Sequence, residues 1–415
     1  MNDHADSAPR CRFCATPLVH SLVDLGETPL ANAYVDPGQA PERDPVYPLH
    51  ARVCANCFLV QVEDAVPAEE IFSDYAYFSS YSASWVDHAR RYAEAMTARL
   101  GLGAESFVVE VASNDGYLLR HFRDLGIPHL GIEPAANVAR TAIEQGIDTE
   151  IAFFGQRTAA DIRARYRPAD LIAANNVMAH VPDLNDFVAG FRALLADDGV
   201  ITVEFPHLLR LMQEVQFDTI YHEHYSYFSL LTVEKIFAAH DLRLFDVEKL
   251  PTHGGSLRIF ATHADNTSHI DGPGLAAVRA EEAAAAMDDL KTYEAFPERV
   301  ARLKADLLAL LIRLKAEGKS VVAYGAAAKG NTLLNHFGVG TDLISYVVDR
   351  NPAKQGRLMP GSRLPIRPPE EISRTRPDYV LILPWNLKDE IMAQMKHIHD
   401  WGGRFIIPVP SVRVI

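Results

Sequence analysis

Proton-handling side chains are concentrated in one short run of this 415-residue chain, residues 217–228. The run holds two histidines, two acids and three tyrosines, among them Tyr221, Glu223 and His224. Imidazoles and carboxyl groups can take up protons near neutral pH, and phenols can hydrogen-bond a developing oxyanion. Proton abstraction beside a carbonyl requires this combination, so the run predicts a catalytic site.

Two simpler interpretations of the run stay open. The tyrosines could be half-buried packing residues, with the histidines on a solvated edge. Alternation along a strand would also place His222 and His224 on one face, where both could bind a metal ion. Two ligands are too few for a metal site, which leaves catalysis and packing as the main alternatives.

Length and composition limit the class of protein. The chain is long enough for two or three domains. Its formal net charge of −14 argues against general nucleic-acid binding, which needs a basic surface. No apolar run approaches the ~18 residues of a membrane helix, and no secretory signal opens the sequence. We expect a cytoplasmic protein, a monomer or small homo-oligomer, without nucleic-acid or membrane partners.

The four cysteines form two equally spaced pairs, Cys11 with Cys14 and Cys54 with Cys57. Each pair can chelate an ion from a single turn, and together they supply the four thiolates of a tetrahedral zinc site. Four protein ligands leave no position for water, so this zinc ion would be structural. Disulfides and a redox-active pair are the less favoured alternatives. Residues 1–72 are therefore expected to form a zinc-binding module.

Strands and helices alternate from residue 107 onward. Buried-strand runs over 107–112, 129–133, 170–175 and 200–204 are separated by helical stretches. This order predicts a doubly wound, parallel α/β sheet.

The same domain, residues 73–265, is predicted to end on an antiparallel strand pair. Strands over 242–249 and 255–261 are joined by a turn too short for a crossover. The Ala/Glu-rich stretch that follows at 275–286 is expected to be a solvated helix.

Ligands of such sheets bind at the carboxyl ends of the strands. The first strand leads into Glu110 and a turn that ends at Gly116, and the second strand ends in Glu133. An acid at the end of the second strand can bind both ribose hydroxyls of a nucleotide. A plain strand-to-helix turn of some other Rossmann-like domain is the alternative.

This arrangement resembles the class I S-adenosylmethionine-dependent methyltransferases. Their first turn has the form acid-x-Gly-x-Gly-x-Gly, which Glu110 and Gly116 match, and their second strand ends in a ribose-binding acid, as Glu133 does. Ala112 and Asn114 stand at the first two glycine positions.

The ordered motifs of the chain further resemble the sugar C-methyltransferases that act on dTDP-linked 4-keto-6-deoxy sugars in antibiotic biosynthesis. That family combines a four-cysteine zinc module, a methyltransferase domain with Ser-Asn-Asp-Gly, Asn-Asn-Val-x-x-His-Val-Pro and Glu-His segments, a His-Gly-Gly turn and a C-terminal Rossmann-like domain. The chain carries the corresponding segments in this order, at 113–116, 175–182, 221–224, 253–255 and 324–331.

The resemblance implies methyl transfer from S-adenosylmethionine to C3 or C5 of the sugar, through an enolate formed beside the C4 ketone. It makes His224 the base and Glu223 its orienting partner. It also makes Tyr221, His180 and Tyr75 the enolate-binding or proton-relay groups. His180 could instead cap its loop, and Tyr75 could be a packing aromatic.

The resemblance also assigns binding residues. Phe153 would contact the adenine, with core packing as its alternative. The implied cofactor residues are Glu110, Ala112, Asn114, Gly116, Glu133, Phe153, Asn175 and Asn176. The implied substrate residues are His253, Gly254, Gly255, Tyr324, Lys329 and Asn331.

The C-terminal part, residues 266–415, is predicted to be a second Rossmann-like domain. Apolar residues recur at helical spacing from Pro297 to a stop at Gly318, and a strand, a turn over 325–330 and a second strand ending in Asp349 follow. The turn amides and Lys329 could hold the diphosphate of a nucleotide sugar. A Rossmann fold without ligand is one alternative, and an NAD-dependent nucleotide-sugar oxidoreductase or epimerase that uses Asp349 is the other.

Overall fold

Three β-sheets organise the protein in a computed structural model that describes residues 9–38, 44–67, 78–81 and 83–415. The predicted catalytic residue Tyr75 lies outside the described residues. None of the helices in these ranges has an apolar stretch long enough to cross a bilayer.

The first sheet is antiparallel and belongs mainly to the N-terminal module. Its strands are β1 (His20–Thr28), β2 (Tyr47–Val53), β3 (Val60–Gln61) and β9 (Ser226–Tyr227), in that order. Strand β9 comes from the proton-handling run and pairs with β3. The run is therefore bound directly to the cysteine-rich module, a contact that the sequence did not predict.

The second sheet has seven strands in the order β10-β11-β8-β7-β4-β5-β6. It is parallel except for β11, which is antiparallel to both of its neighbours. The strands are β4 (Val108–Val111), β5 (His129–Ile132), β6 (Thr149–Glu150), β7 (Ala169–Asn175), β8 (Leu195–Pro206), β10 (Leu242–Leu250) and β11 (Ser256–His263). This arrangement confirms the predicted doubly wound sheet with an antiparallel terminal pair.

Helices cover both faces of this sheet, as its two-sided burial requires. They are α1 (Ala83–Leu100), α2 (Leu119–Asp124), α3 (Ala136–Glu144), α4 (Gln156–Arg165), α5 (Leu184–Leu194), α6 (Leu208–Gln213) and α7 (Leu230–Ala238).

The third sheet forms the predicted second Rossmann-like unit, in the order β14-β13-β12-β15-β16-β17, with only β17 antiparallel. Its strands are β12 (Val321–Tyr324), β13 (Val347–Val348), β14 (Ile366–Arg367), β15 (Tyr379–Ile382), β16 (Arg404–Ile407) and β17 (Arg413–Val414). The helices of this part of the chain are α8 (Pro273–Ala284), α9 (Leu290–Glu294), α10 (Phe296–Ala316), α11 (Ala328–Phe337), α12 (Glu370–Thr375) and α13 (Lys388–Gln394).

One hydrophobic core joins the first and third sheets. Leu22 and Leu49 of the first sheet, Phe217 of the run, and Leu307 and Leu311 of α10 all belong to it and are fully buried. The predicted apolar stripe of α10 therefore packs against the N-terminal module as well as against its own domain. Burial of this stripe makes the two ends of the chain one packed unit.

Helix α8 differs from the solvated helix expected over the Ala/Glu stretch. Glu282 is only 3% exposed. Its carboxylate accepts hydrogen bonds from the amides of Leu230 at 2.6 Å and Leu231 at 2.8 Å, and it contacts Nε2 of His207 at 2.7 Å. An acid at these amides satisfies donors that the first turn of α7 leaves free, so α8 is anchored to the second sheet.

We expect Glu282→Ala to lower the free energy of unfolding by about 2 to 4 kcal/mol, because it leaves buried amides and His207 without an acceptor. Urea denaturation followed by circular dichroism measures the change. The matched control is Glu281→Ala, which removes a surface pair with Lys249 and should cost less than about 1 kcal/mol. Equal effects of the two substitutions would contradict the anchoring role.

Candidate functional site

The four cysteines converge on one point. They form no disulfide, and their Sγ atoms all lie within 4.8 Å of one another. The Cys14–Cys54 and Cys11–Cys57 separations are 3.5 and 3.6 Å. A tetrahedral zinc ion with Zn–S bonds of about 2.3 Å needs sulfurs about 3.8 Å apart, so the cluster fits zinc. Within the described ranges no other group of acids, histidines or cysteines has this geometry, which leaves no support there for a metal on His222 and His224.

The two cysteine pairs sit on matching turns. The amide of Ala15 donates to the carbonyl of Cys11 at 2.8 Å, and the amide of Phe58 donates to that of Cys54 at 3.0 Å. Ala15 and Phe58 both adopt positive φ angles, 57° and 64°. The Gln61 amide donates to Sγ of Cys11 at 3.2 Å, as partners of metal thiolates commonly do.

The turn after β4 has positive φ angles at all three positions that match the glycines of the methyltransferase motif, although only one of them is glycine. Ala112, Asn114 and Gly116 have φ angles of 55°, 49° and 77°. These are left-handed conformations, which asparagine tolerates better than most residues. A Cβ on Gly116 would lie 2.9 Å from Cγ1 of Ile147, so this glycine is needed for close packing of the turn.

Glu133 ties that turn to the end of β5. One carboxylate oxygen accepts from the Asn114 amide and the other from the Ala135 amide, both at 2.9 Å. Burial raises the pKa of Glu133, while the two amides lower it. Each oxygen retains a lone pair, so the carboxylate can still accept hydrogen bonds from two ribose hydroxyls.

Buried polar atoms without a partner in the described residues cluster at these strand ends. Such atoms are costly unless a ligand or water satisfies them. They belong to Glu110, Ser113, Asp115, Asn175 and Asn176. Burial and the charge of Glu133 raise the pKa of Glu110 well above its usual range. The chemistry of this set fits a hydroxyl-rich and amine-bearing ligand such as S-adenosylmethionine.

Phe153 follows β6 and is 49% exposed. The alternative that it is a core residue is therefore wrong. Its ring is available to stack on a planar base, as the adenine role requires.

The predicted base and its neighbour Tyr221 form a hydrogen-bonded pair. Nδ1 of His224 lies 2.9 Å from the Thr219 carbonyl, and Nε2 lies 2.7 Å from the Tyr221 hydroxyl. A carbonyl can only accept, so Nδ1 carries the proton, and Nε2 accepts from the phenol. Burial lowers the pKa of His224 well below its usual range, and the positive charge of Lys329 acts in the same direction. His224 is thus a neutral imidazole with a fixed orientation, whose Nε2 accepts a hydrogen bond.

His180 lies against this pair. Its ring centroid is 4.7 Å from that of His224, and its Nδ1 donates to the backbone carbonyl of Glu223 at 2.7 Å. Burial lowers the pKa of His180 to about 4. This backbone contact agrees in part with the alternative that His180 caps its loop. Its ring nevertheless lies against that of His224.

The expected partnership of Glu223 with His224 needs a correction. The ring of His224 is oriented by Thr219, whereas the carboxyl of Glu223 accepts a hydrogen bond from Nδ2 of Asn32 at 2.7 Å. Residues 221–224 form a turn, in which the amide of His224 donates to the carbonyl of Tyr221 at 2.9 Å, and the two side chains are held by separate partners. Burial raises the pKa of Glu223 to about 7.

The His-Gly-Gly turn is a docking surface for the C-terminal domain. A Cβ on Gly254 would lie 2.7 Å from the Trp385 ring, and one on Gly255 would lie 2.9 Å from Cγ of Arg210. The Trp385 indole donates to Oδ2 of Asp218 at 2.7 Å. The two glycines therefore allow close packing. His253 precedes them with a φ of 54°, and its ring contacts the ring of Trp85.

Lys329 of the C-terminal domain contributes a positive charge near His224 and His253. It lies in the first turn of α11, donates to Oδ1 of Asn386 at 2.9 Å and sits 4.7 Å above the Trp385 ring. Its charge lowers the pKa of both His224 and His253. An ammonium group is therefore close to the reaction site.

The other two residues predicted on this domain lie in its core. Tyr324 is 5% exposed and its hydroxyl donates to Gln394, while Asn331 is 1% exposed and accepts from Asn335. Sequence reasoning missed Asp218, Trp385 and Asn32 as neighbours of the site. Asp218 belongs to the proton-handling run, but no local pattern relates it to Trp385, which is 167 residues away in the sequence.

Comparison with known proteins gives consistent matches along the chain. Family models match in three successive parts: a putative zinc binding domain over residues 11–72, a methyltransferase domain over 85–247 and a C-methyltransferase C-terminal domain over 251–410. The C-methyltransferase NovU of Streptomyces niveus is 37% identical over 415 residues, covering 100% of this chain and 99% of NovU.

Solved structures match over a smaller part. The CcbJ methyltransferase from Streptomyces caelestis is 13% identical, with a TM-score of 0.34, and the match covers 42% of this chain and 89% of CcbJ. The 1,6-didemethyltoxoflavin-N1-methyltransferase of Burkholderia thailandensis is 18% identical, with a TM-score of 0.36, and the match covers 50% of this chain and 95% of that chain.

We expect Cys14→Ser to remove the metal from the N-terminal module, because three thiolates bind zinc much more weakly than four. Zinc content measured by atomic emission should fall from about one ion per chain to well below half, and the melting temperature should fall with it. Thr16→Val, which removes only a hydroxyl beside Cys14, is the control. A fully stable, metal-free wild-type protein would contradict this prediction.

We expect Glu133→Gln to weaken S-adenosylmethionine binding at least tenfold, because an amide accepts through only one oxygen. A loss of about 1.4 kcal/mol corresponds to that factor. Isothermal titration calorimetry measures the affinity. Glu150→Gln, which removes a surface pair with Arg165 at the end of β6, should leave it unchanged. Unaltered binding in Glu133→Gln would count against this cofactor site.

Proposed function

This chain belongs to the S-adenosylmethionine-dependent C-methyltransferases that carry an N-terminal zinc-binding module, and on that premise we propose that it methylates a nucleotide-linked deoxysugar. The proposed acceptor is a dTDP-linked 4-keto-6-deoxy sugar, methylated at C3 or C5 in deoxysugar and antibiotic biosynthesis. The observation that carries this proposal is the half-buried, hydrogen-bonded pair of Tyr221 and neutral His224. Such a pair suits removal of a proton from carbon beside a ketone.

The proton is taken from the sugar carbon next to the C4 ketone. The phenol oxygen of Tyr221 accepts this proton while its own proton passes to Nε2 of His224. The electron pair of the broken C–H bond moves to the ketone oxygen and forms the enolate. Thr219 keeps Nδ1 of His224 protonated, so the positive charge of the resulting imidazolium is placed against a carbonyl oxygen.

Bound S-adenosylmethionine would supply an electrophilic methyl group to the carbon of the enolate, which would leave S-adenosylhomocysteine and the methylated ketone as products. Glu133 and the Asn114 segment are proposed to hold its ribose, and Phe153 its adenine. Glu110, Asn175 and Asn176 offer the buried polar atoms for the remaining contacts.

The growing charge on the enolate oxygen needs donors or a cation. His180 lies beside His224, and Lys329 places positive charge near both His224 and His253. We assign these groups, together with Tyr75, to the ketone oxygen and the neighbouring anionic part of the nucleotide sugar. The proposed substrate site is then at these residues, where the second and third sheets meet.

We expect His224→Asn to lower methyl transfer at least about 1,000-fold, because the proton then has no acceptor. S-adenosylmethionine affinity should be unchanged, since His224 is not one of the proposed cofactor-binding residues. The assay follows the added methyl group on a dTDP-4-keto-6-deoxy sugar by mass spectrometry. His222→Asn is the matched control, because His222 contacts the Pro48 carbonyl instead; it should retain activity within tenfold.

The proposal as a whole is tested by adding S-adenosylmethionine and NAD separately to the purified protein and measuring the bound ligand. S-adenosylmethionine should bind and NAD should not. NAD binding without S-adenosylmethionine binding, or methyl transfer that is unaffected in His224→Asn, would overturn it.

A further inference from the structure

We propose that Asn32 of the zinc-binding module is a positioning residue, which holds the carboxyl of Glu223 at the reaction site and favours its charged form. The N-terminal module would then act in the reaction as well as in folding. This inference rests on the proposed function, because it assigns Glu223 a role in that reaction.

The first support is a direct contact between distant parts of the chain. Nδ2 of Asn32 donates to Oε1 of Glu223 at 2.7 Å. Asn32 lies in a tight turn after β1, in which the amide of Ala33 donates to the carbonyl of Leu30 at 3.2 Å. Asn32 is itself exposed, whereas Glu223 is 5% exposed. The asparagine thus closes one side of a carboxyl that is otherwise enclosed by protein.

The second support is that the C-terminal domain fixes the same turn. The hydroxyl of Tyr34 donates to the carbonyl of Ala326 at 2.6 Å. Lys354 donates to that carbonyl at 2.8 Å and lies 5.0 Å above the Tyr34 ring. Asn32 is therefore held against Glu223 from both sides, by its own module and by the third sheet.

The third support is electrostatic. Burial raises the pKa of Glu223, while the Asn32 hydrogen bond and the charge of Lys354 lower it. The groups facing this carboxyl are Asn32 from the first module and Lys354 from the third, with the Tyr34 phenol beside them and Asp349 behind Lys354. A carboxyl balanced in this way changes its charge when one of these contacts is lost.

The carboxylate has a place in the proposed reaction. The backbone carbonyl of Glu223 orients His180. Glu223 also immediately precedes the proposed base, His224, in the sequence. Although the two side chains are held separately, a negative charge on the residue next to the base acts through space and favours the imidazolium that forms when His224 takes the proton. Protonated Glu223 would supply no such stabilisation, so turnover should require the charged form.

The test is the pH dependence of kcat/KM for Asn32→Ala. Loss of a hydrogen bond to the charged form raises the pKa of Glu223, so the acidic limb of the profile should move up by about one pH unit. Activity should fall about tenfold on that limb and return to the wild-type level at higher pH. Lys354→Met removes a positive charge and should move the limb in the same direction.

Asn185→Ala is the matched control. Asn185 of α5 donates to the carbonyl of Phe13 at 3.0 Å, so it also joins the zinc module to the second sheet, but far along the chain from Glu223. This variant should leave the acidic limb in place. Zinc content should be unchanged in every variant.

A direct titration separates this inference from the proposed function. Protein labelled with 13C at the glutamate carboxyl carbon is titrated by NMR, and the Glu223 signal is identified by its absence from Glu223→Gln. A higher Glu223 pKa in Asn32→Ala, with no methyl transfer by wild type to the sugar, would refute the proposed function alone. An unchanged pKa, or a pH-independent loss of activity in Asn32→Ala, would overturn the role of Asn32.

Discussion

The rest of the structure depends on the pairing of two short strands, β3 of the N-terminal module and β9 of the proton-handling run. Gln61 and Ser226 are partners in this pairing. The side chain of Gln61 also donates to Cys11, one of the four zinc-binding thiolates. The metal cluster and His224 are thus connected through one side chain and one strand pairing. Zinc binding, which orders the module, also fixes the run from which the proposed base is presented.

The opposite side of the run is fixed by the C-terminal domain. Trp385 packs on Gly254 and donates to Asp218, and Lys329 lies above the same indole. Burial of Asp218 raises its pKa to about 6, and the charge of Lys329 opposes this shift. The C-terminal domain therefore contributes a positive charge, that of Lys329, to a site whose other polar groups come from the run in another domain.

Burial decides the protonation states at the site. The pKa values of His180, His224 and His253 are all lowered, chiefly by removal from water. The imidazoles are neutral at physiological pH, which a proton acceptor requires. The same burial raises the pKa of Glu223 to about 7, so the usual order of acidity of this carboxyl and the neighbouring imidazole of His224 is inverted.

The sequence alone determined the features that depend on local spacing. The two cysteine pairs predicted the zinc cluster, the alternation of strands and helices predicted the second sheet, and the stripe from Pro297 onward predicted α10. The acid at Glu133 and the turn before Gly116 were also visible, because each lies at the end of a short strand. These patterns repeat within a few residues and are set by backbone geometry and burial.

Only the tertiary structure decided which side chains meet. Asn32 and Glu223 are 191 residues apart, and Asp218 and Trp385 are 167 apart. Nothing in either local pattern marks such a pair, because a hydrogen bond between distant residues follows from how whole sheets pack. For the same reason the sequence predicted a solvated position for Glu282 and a ligand contact for Gly254. In the structure Glu282 is buried and anchors a helix, and Gly254 packs against the indole of Trp385.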